Sequence, residues 1–132
     1  DDDRYADEKI RTLRHQGKSG RFIFQKLMEK GLDKDFITDR LDASDTRLTQ
    51  DLEENITIDF FSAIRLCQKR KIGPFRRYEL SSIADKDEKN NLWNKELAKL
   101  ARAGFDFQTA KKALTLTEVE AEDHIRALDS RL

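Results

Sequence analysis

The feature that most limits how this chain folds is that it repeats itself. KLMEKGLDKDFITDRL at residues 26–41 aligns with KLARAGFDFQTAKKAL at 99–114, 73 positions further on, pairing Lys26/Lys99, Leu27/Leu100, Gly31/Gly104, Leu32/Phe105, Asp33/Asp106 and Leu41/Leu114. The block has the chemistry of one helix ending and another beginning. Gly31 or Gly104 can take the left-handed conformation past a helix C-terminus, and the apolar residue after it folds back on the last turn. Asp33 or Asp106 then offers a carboxylate to cap the next helix. Upstream, KSGRF at 18–22 aligns with KIGPF at 71–75 at an offset of 53, pairing Lys18/Lys71, Gly20/Gly73 and Phe22/Phe75. The two offsets place a 20-residue expansion in the second copy, around YELSSIADKDEKNN at 78–91.

Each copy reads as three helices. Ala6, Ile10 and Leu13 follow the i, i+4, i+7 spacing of an amphipathic helix ending near Gly17. Ser19 opens a second helix with Ile23, Phe24, Leu27 and Met28 on one face, and a third follows Asp33 with Phe36, Ile37 and Leu41. In the second copy Phe60, Ala63, Ile64 and Cys67 mark the first helix, which stops before Gly73-Pro74 because the residue before proline disfavours the helical region. Trp93, Leu97 and Leu100 mark its second helix, a third ends near Leu114, and Thr117 with Glu120 has capping-box spacing for a last one. The expected fold is therefore all-α, tandem three-helix repeats in an elongated arrangement. Residues 1–43 form the first repeat, 44–56 a linker or connecting helix, and 57–132 the second repeat with a C-terminal helix. Units this small bury little alone, so they are expected to stack, through residues such as Leu41, Ile64 and Leu66.

The tripeptide GKS at 17–19 invites a nucleotide-binding reading, which fails. A phosphate-binding loop needs glycine at position 12, where Thr12 stands, and a buried strand before it, where the charged YADEKIRTLRH runs instead. Charged residues are 39% of the chain against a usual ~25%, which suits helices with wide solvated faces. The formal net charge is zero, yet the charges are segregated. Residues 65–77 carry Arg65, Lys69, Arg70, Lys71, Arg76 and Arg77 without one acid, while nine acids collect between Asp33 and Asp59. Cys67 stands alone and has no internal disulfide partner, and no apolar run approaches the ~20 residues that span a bilayer. The N-terminus is acidic, unlike a signal peptide. A reducing, cytoplasmic setting is the expectation.

RYA at 4–6, SGRF at 19–22, LMEKGL at 27–32, AIRLCQKRKIGPFR at 63–76 and LARAGFD at 100–106 resemble the RecX regulatory proteins of bacteria, over nearly the whole chain. That family is built of tandem three-helix units. Its members bind the RecA recombinase filament, lodge in its helical groove and restrain its ATPase, strand-exchange and coprotease activities. The resemblance implies the same for this chain. Family members usually carry three units, and the first is expected to be the one without a counterpart here; the expanded second unit is a further departure.

The 65–77 run and a second basic cluster, Arg11, Arg14, Lys18, Arg21, Lys26 and Lys30 against Glu29 alone, fall at the turn between first and second helices, so they are expected to line one side of the molecule as a stripe suited to an acidic protein groove or to phosphates. The candidate partner-binding residues are Arg11, Arg14, Lys18, Arg21, Lys69, Arg70, Lys71, Phe75, Arg76 and Arg77. No catalytic, cofactor-binding or metal-binding residue is expected. His15 and His124 lack ligands at metal spacing, the adjacent Glu53 and Glu54 point to different sides of a helix, and Cys67 sits on an apolar face. The expected partner is the RecA filament, met by a monomer with no membrane association. Weak DNA binding could accompany that role. A direct nucleic-acid binder is the alternative, weakened by zero net charge and a lack of clustered aromatics.

Overall fold

A computed structural model describes residues 1–132, and every regular element in it is helical. Seven α-helices follow one another: α1 Asp2–His15, α2 Gly20–Glu29, α3 Lys34–Leu48, α4 Ile58–Arg70, α5 Lys86–Arg102, α6 Phe107–Leu114 and α7 Glu118–Asp129. Single 3-10 turns lie at Gly73–Phe75 and Leu80–Ser82. Side-chain oxygens close the helix starts: Ser19 accepts from Phe22 N–H, Asp33 from Asp35 and Phe36, Thr57 from Phe60, and Asp106 from Thr109. Thr117 and Glu120 form the full capping box.

The repeat is visible in the reversal after the second helix of each unit. Gly31 has φ +86 and Gly104 φ +97. Gly31 N–H donates to Met28 O and Leu32 N–H to Leu27 O, as Gly104 N–H does to Ala101 O and Phe105 N–H to Leu100 O. The first helices are related by 54 positions, however, and not by 53. Gly17 at φ +80 ends α1 and Lys71 at φ +56 ends α4; Ile10 and Leu13 take the buried places that Ile64 and Cys67 take. Matching Gly20 to Gly73 is off by one, because in the second unit the left-handed position is held by a lysine and glycine identity is no guide to it. Gly20 opens a helix, whereas Gly73 is a left-handed residue whose added Cβ would meet Leu114 at 3.0 Å.

The expansion is used in two ways. Residues 76–85 form a loop around the second 3-10 turn, and α5 begins at Lys86, two turns before the position equivalent to the start of α2. The segment expected as linker or connecting helix is helical as far as Leu48, where α3 ends, and then turns until α4.

Each unit has its own core. Ile10, Leu13, Ile23, Leu27, Ile37 and Leu41 fill the first. The second gathers Phe60, Ile64, Cys67, Leu100, Phe105, Leu114 and Ile125 among its twelve members. Leu41 and Ile64 belong to separate cores and are each consumed inside their own unit, so those two do not join the units as expected, whereas Leu66, packed against the second core, lines a groove at the seam. The seam is made instead by a small cluster of Leu48, Ile58, Phe61 and Leu128, and by the polar junction described below. His124 sits edge-on to Phe60 and Phe61, with centroids 5.2 and 5.7 Å away. The accessible surface, 8496 Å², exceeds the about 7,200 Å² of a compact monomer of this mass, as two units side by side should.

Candidate functional site

The turn after α1 and the end of α5 meet at the seam. Gly17 lies against Arg65, where a Cβ would come within 2.7 Å of Arg65 Cγ. Ser19 is fully buried; its hydroxyl donates to Ala103 O at 2.9 Å and accepts from Phe22 N–H at 3.0 Å, tying the start of α2 to the end of α5. Lys69 Nζ donates to Gln16 O at 2.5 Å. These contacts bring Lys18 from the first unit beside Lys69, Arg70, Lys99 and Arg102 from the second, around a groove of about 490 Å³ that no acidic residue lines. Lys18 also lies over the half-buried Phe22 ring, 4.7 Å from its centroid. Burial lowers the Lys69 pKa, and the charges of Lys18 and Arg65 push the same way. An anion in this groove would relieve that repulsion.

Arg14 does not belong to this surface. Only 1% of its side chain is exposed. Nη2 donates to both Asp45 oxygens at 3.0 Å, and Nη1 reaches Asp59 Oδ1 at 2.8 Å and Lys18 O at 3.0 Å. Asp59 Oδ1 also accepts from Gly20 N–H at 2.9 Å. One guanidinium thus joins α1, α3 and α4 and closes the polar half of the seam. Burial raises the Asp45 pKa, and the adjacent Arg14 charge opposes the rise.

Arg76 is likewise committed inward. Its Nε donates to Glu96 Oε1 and Oε2 at 2.8 and 2.9 Å, and Gly73 N–H donates to the same carboxylate at 3.2 Å. Glu96 is 2% exposed and occupies the place that Ile23 fills in the first unit. Phe75 is half-buried against the second core. Arg11 lies apart, beside a cleft with Arg47 and Arg131, and Arg21 is exposed next to Gly104. Lys71 and Arg77 line a second cleft, which shares Arg70 and Lys99 with the groove.

The structure thus gathers Lys18, Lys69 and Arg70 from the candidate set, turns Arg14 and Arg76 inward, and leaves Arg11 elsewhere. Sequence reasoning missed Lys99 and Arg102; their i, i+3 spacing near a helix end was the available signal. It also missed Asp45, Asp59 and Glu96 as partners of the inward arginines. No three His, Cys, Asp or Glu residues are grouped to hold a metal ion, and no helix is long and apolar enough to cross a membrane. Burial, with the nearby Glu96 charge, pushes the Cys67 thiol up to about 12.

Comparison with known proteins agrees with this architecture. Residues 1–41 match the family model described as RecX, second three-helix domain. The chain is similar to a protein named Regulatory protein RecX from Agrobacterium fabrum, 34% identical over 123 residues, covering 93% of this chain and 55% of that protein. It is similar also to a Regulatory protein RecX from Myxococcus xanthus, 32% identical over 114 residues, covering 86% of this chain and 52% of that protein. The chain thus spans about half the length of the curated relatives it matches. No solved structure gives a significant match. The resemblance to the RecX family read from the sequence is thereby shown.

Proposed function

From that RecX-family resemblance across nearly the whole chain, we propose that this protein binds the RecA recombinase filament and restrains its ATPase, strand-exchange and coprotease activities, working by binding and not by catalysis. In this reading it acts as a cytoplasmic monomer, with residues 1–43 and 57–132 as its two units and 44–56 between them. The observation that carries the role is the groove at the seam: Lys18, Lys69, Arg70, Lys99 and Arg102 come from three helix ends in two units and face one space without an acid. A filament surface of opposite charge would bridge both units at once, and the oppositely charged patches would speed the encounter. Arg14 serves this surface by holding Lys18 in its wall, through the bond from Nη1 to Lys18 O.

Co-sedimentation with assembled filament, together with filament ATPase, tests the reading. Lys18→Glu with Arg102→Glu, whose side chains lie on the groove wall and make no ion pair within the chain, should abolish co-sedimentation and inhibition while leaving helical content unchanged. Full inhibition by that variant would reduce the groove to a solvated face. The same cations would also hold phosphates, so a labelled oligonucleotide is titrated at two salt concentrations. A bare-strand binder shows a log–log slope of about −0.7 per phosphate, and equal affinity for strand and filament would replace the filament reading with nucleic-acid binding.

A further inference from the structure

The second cleft has a different chemistry from the groove and no counterpart in the first unit, because the expansion builds it. Tyr78, Ile83 and Glu88 come from the expanded segment, Leu92 and Lys95 from the middle of α5, Arg70 and Lys71 from the end of α4, and Arg77 from the loop before α5. It encloses about 680 Å³, within the ~300–1,000 Å³ range of pockets that hold ligands. Its lining includes aliphatic side chains: Ile72 is buried, and Ile83 and Leu92 are half-buried without joining the second core. Arg70, Lys71, Arg77, Lys95 and Lys99 make no ion pair within the chain; Glu96 is neutralised by Arg76, leaving Glu88 as the lining acid without an ion pair.

We infer that this cleft is a docking site for an acidic polypeptide segment carrying one aliphatic anchor side chain. The aliphatic lining calls for an apolar group, and the five cations without an ion pair call for carboxylates. A nucleic-acid strand fits less well. Its bases want an aromatic platform, and Tyr78, 71% exposed, is the one aromatic ring at the cleft, while its phosphates would meet Glu88 and leave Ile83 and Leu92 bare. The inference deepens the proposed role and rests on it for the source of the segment, a surface element of the filament.

Fluorescence anisotropy with a labelled acidic peptide carrying a single leucine, the same peptide with serine in its place, and an oligothymidylate tests this. The leucine peptide should bind about tenfold or more tighter than the serine peptide, the difference expected for burying one aliphatic side chain. Leu92→Ser should erase that discrimination, and Lys95→Glu should weaken both peptides about tenfold, with helical content and unfolding midpoint unchanged in Lys95→Glu. Equal binding of the two peptides, or tighter binding of oligothymidylate than of the leucine peptide, overturns the inference. Filament co-sedimentation of the wild-type chain separates the two levels. Co-sedimentation without peptide binding removes the cleft and keeps the filament role; peptide binding without co-sedimentation keeps the cleft and removes the filament role.

Discussion

Arg14 Nη1 on α1 and Asp59 Oδ1 on α4 lie 2.8 Å apart across the seam, 45 positions apart in the chain. The same guanidinium is held bidentately by Asp45 of α3, so a single cation stands between two carboxylates that are 34% and 31% exposed. Replacing Arg14 with Ala leaves those carboxylates facing each other. Removing one partner from a buried pair costs roughly 3–5 kcal/mol; with both acids a third exposed we expect ~2–3 kcal/mol, read as a lowered denaturant midpoint. Adding Asp45→Asn to the same chain should recover part of that loss, whereas Arg14→Lys should recover little because an ammonium cannot fork. A midpoint unmoved by Arg14→Ala would mean the seam does not depend on this cation.

The two repeat glycines should respond differently to alanine. Gly31 has φ +86 with nothing within 4 Å of an added Cβ, so Gly31→Ala should cost about 1 kcal/mol from backbone strain alone. At Gly104 the Cβ would meet Ser19 Oγ at 2.5 Å, and moving that hydroxyl sacrifices its bond to Ala103 O and its cap on α2. Gly104→Ala should therefore cost ~3 kcal/mol. Ser19→Ala and Gly104→Ala should be non-additive by about 1 kcal/mol, since the first removes the obstacle to the second. Strict additivity in a double-mutant cycle would contradict the close approach.

Cys67 should be inert in the folded chain. Its thiol is fully buried and pushed up to about 12, so almost no thiolate exists near neutrality and none is accessible. Labelling by an aromatic disulfide at pH 8 should follow global unfolding and accelerate in denaturant. Rapid labelling under native conditions would show that the second core opens locally.

Acid should weaken the helix starts of the second unit. The Asp106 carboxyl is held below its usual value by the Thr109 N–H, and the Glu120 carboxyl by the Thr117 N–H. For an acid whose folded pKa lies below its unfolded one, the native state binds fewer protons, so stability falls as pH falls. The contribution is complete above the usual carboxylate range and is lost as pH drops through the lowered values. Asp106→Asn keeps a capping oxygen but cannot titrate. Thermal midpoints measured from neutral to acid pH should fall less steeply for Asp106→Asn than for the wild type; identical slopes would remove Asp106 from the acid response.

Local signals in the chain were sufficient to locate the caps and reversals of the repeat. Ser19, Asp33, Asp106 and Thr117 cap where their positions suggested, and Gly31 and Gly104 reverse the chain where the repeat placed them. Each of these depends on hydrogen bonds within a few residues, so composition and spacing suffice to find them. The one-residue slip at the first turn has a local cause too: Lys71 adopts a left-handed conformation that sequence identity associates with glycine.

The site was legible only in part, since the basic turns were visible but not the direction their side chains take. Arg14 and Arg76 look like their neighbours in sequence, and they turn inward because Asp45, Asp59 and Glu96 arrive from other helices. Lys99 and Arg102 join the groove because Ser19 bonds Ala103, 84 positions away. By itself the sequence determined an all-helical chain of repeated three-helix units, because helix periodicity, capping and glycine reversals act over a turn or two. Only the tertiary structure decided which cations face solvent and where the units meet. Those outcomes rest on pairing charges that are far apart in the chain, and the cost of burying an unpaired one is settled only when the helices pack.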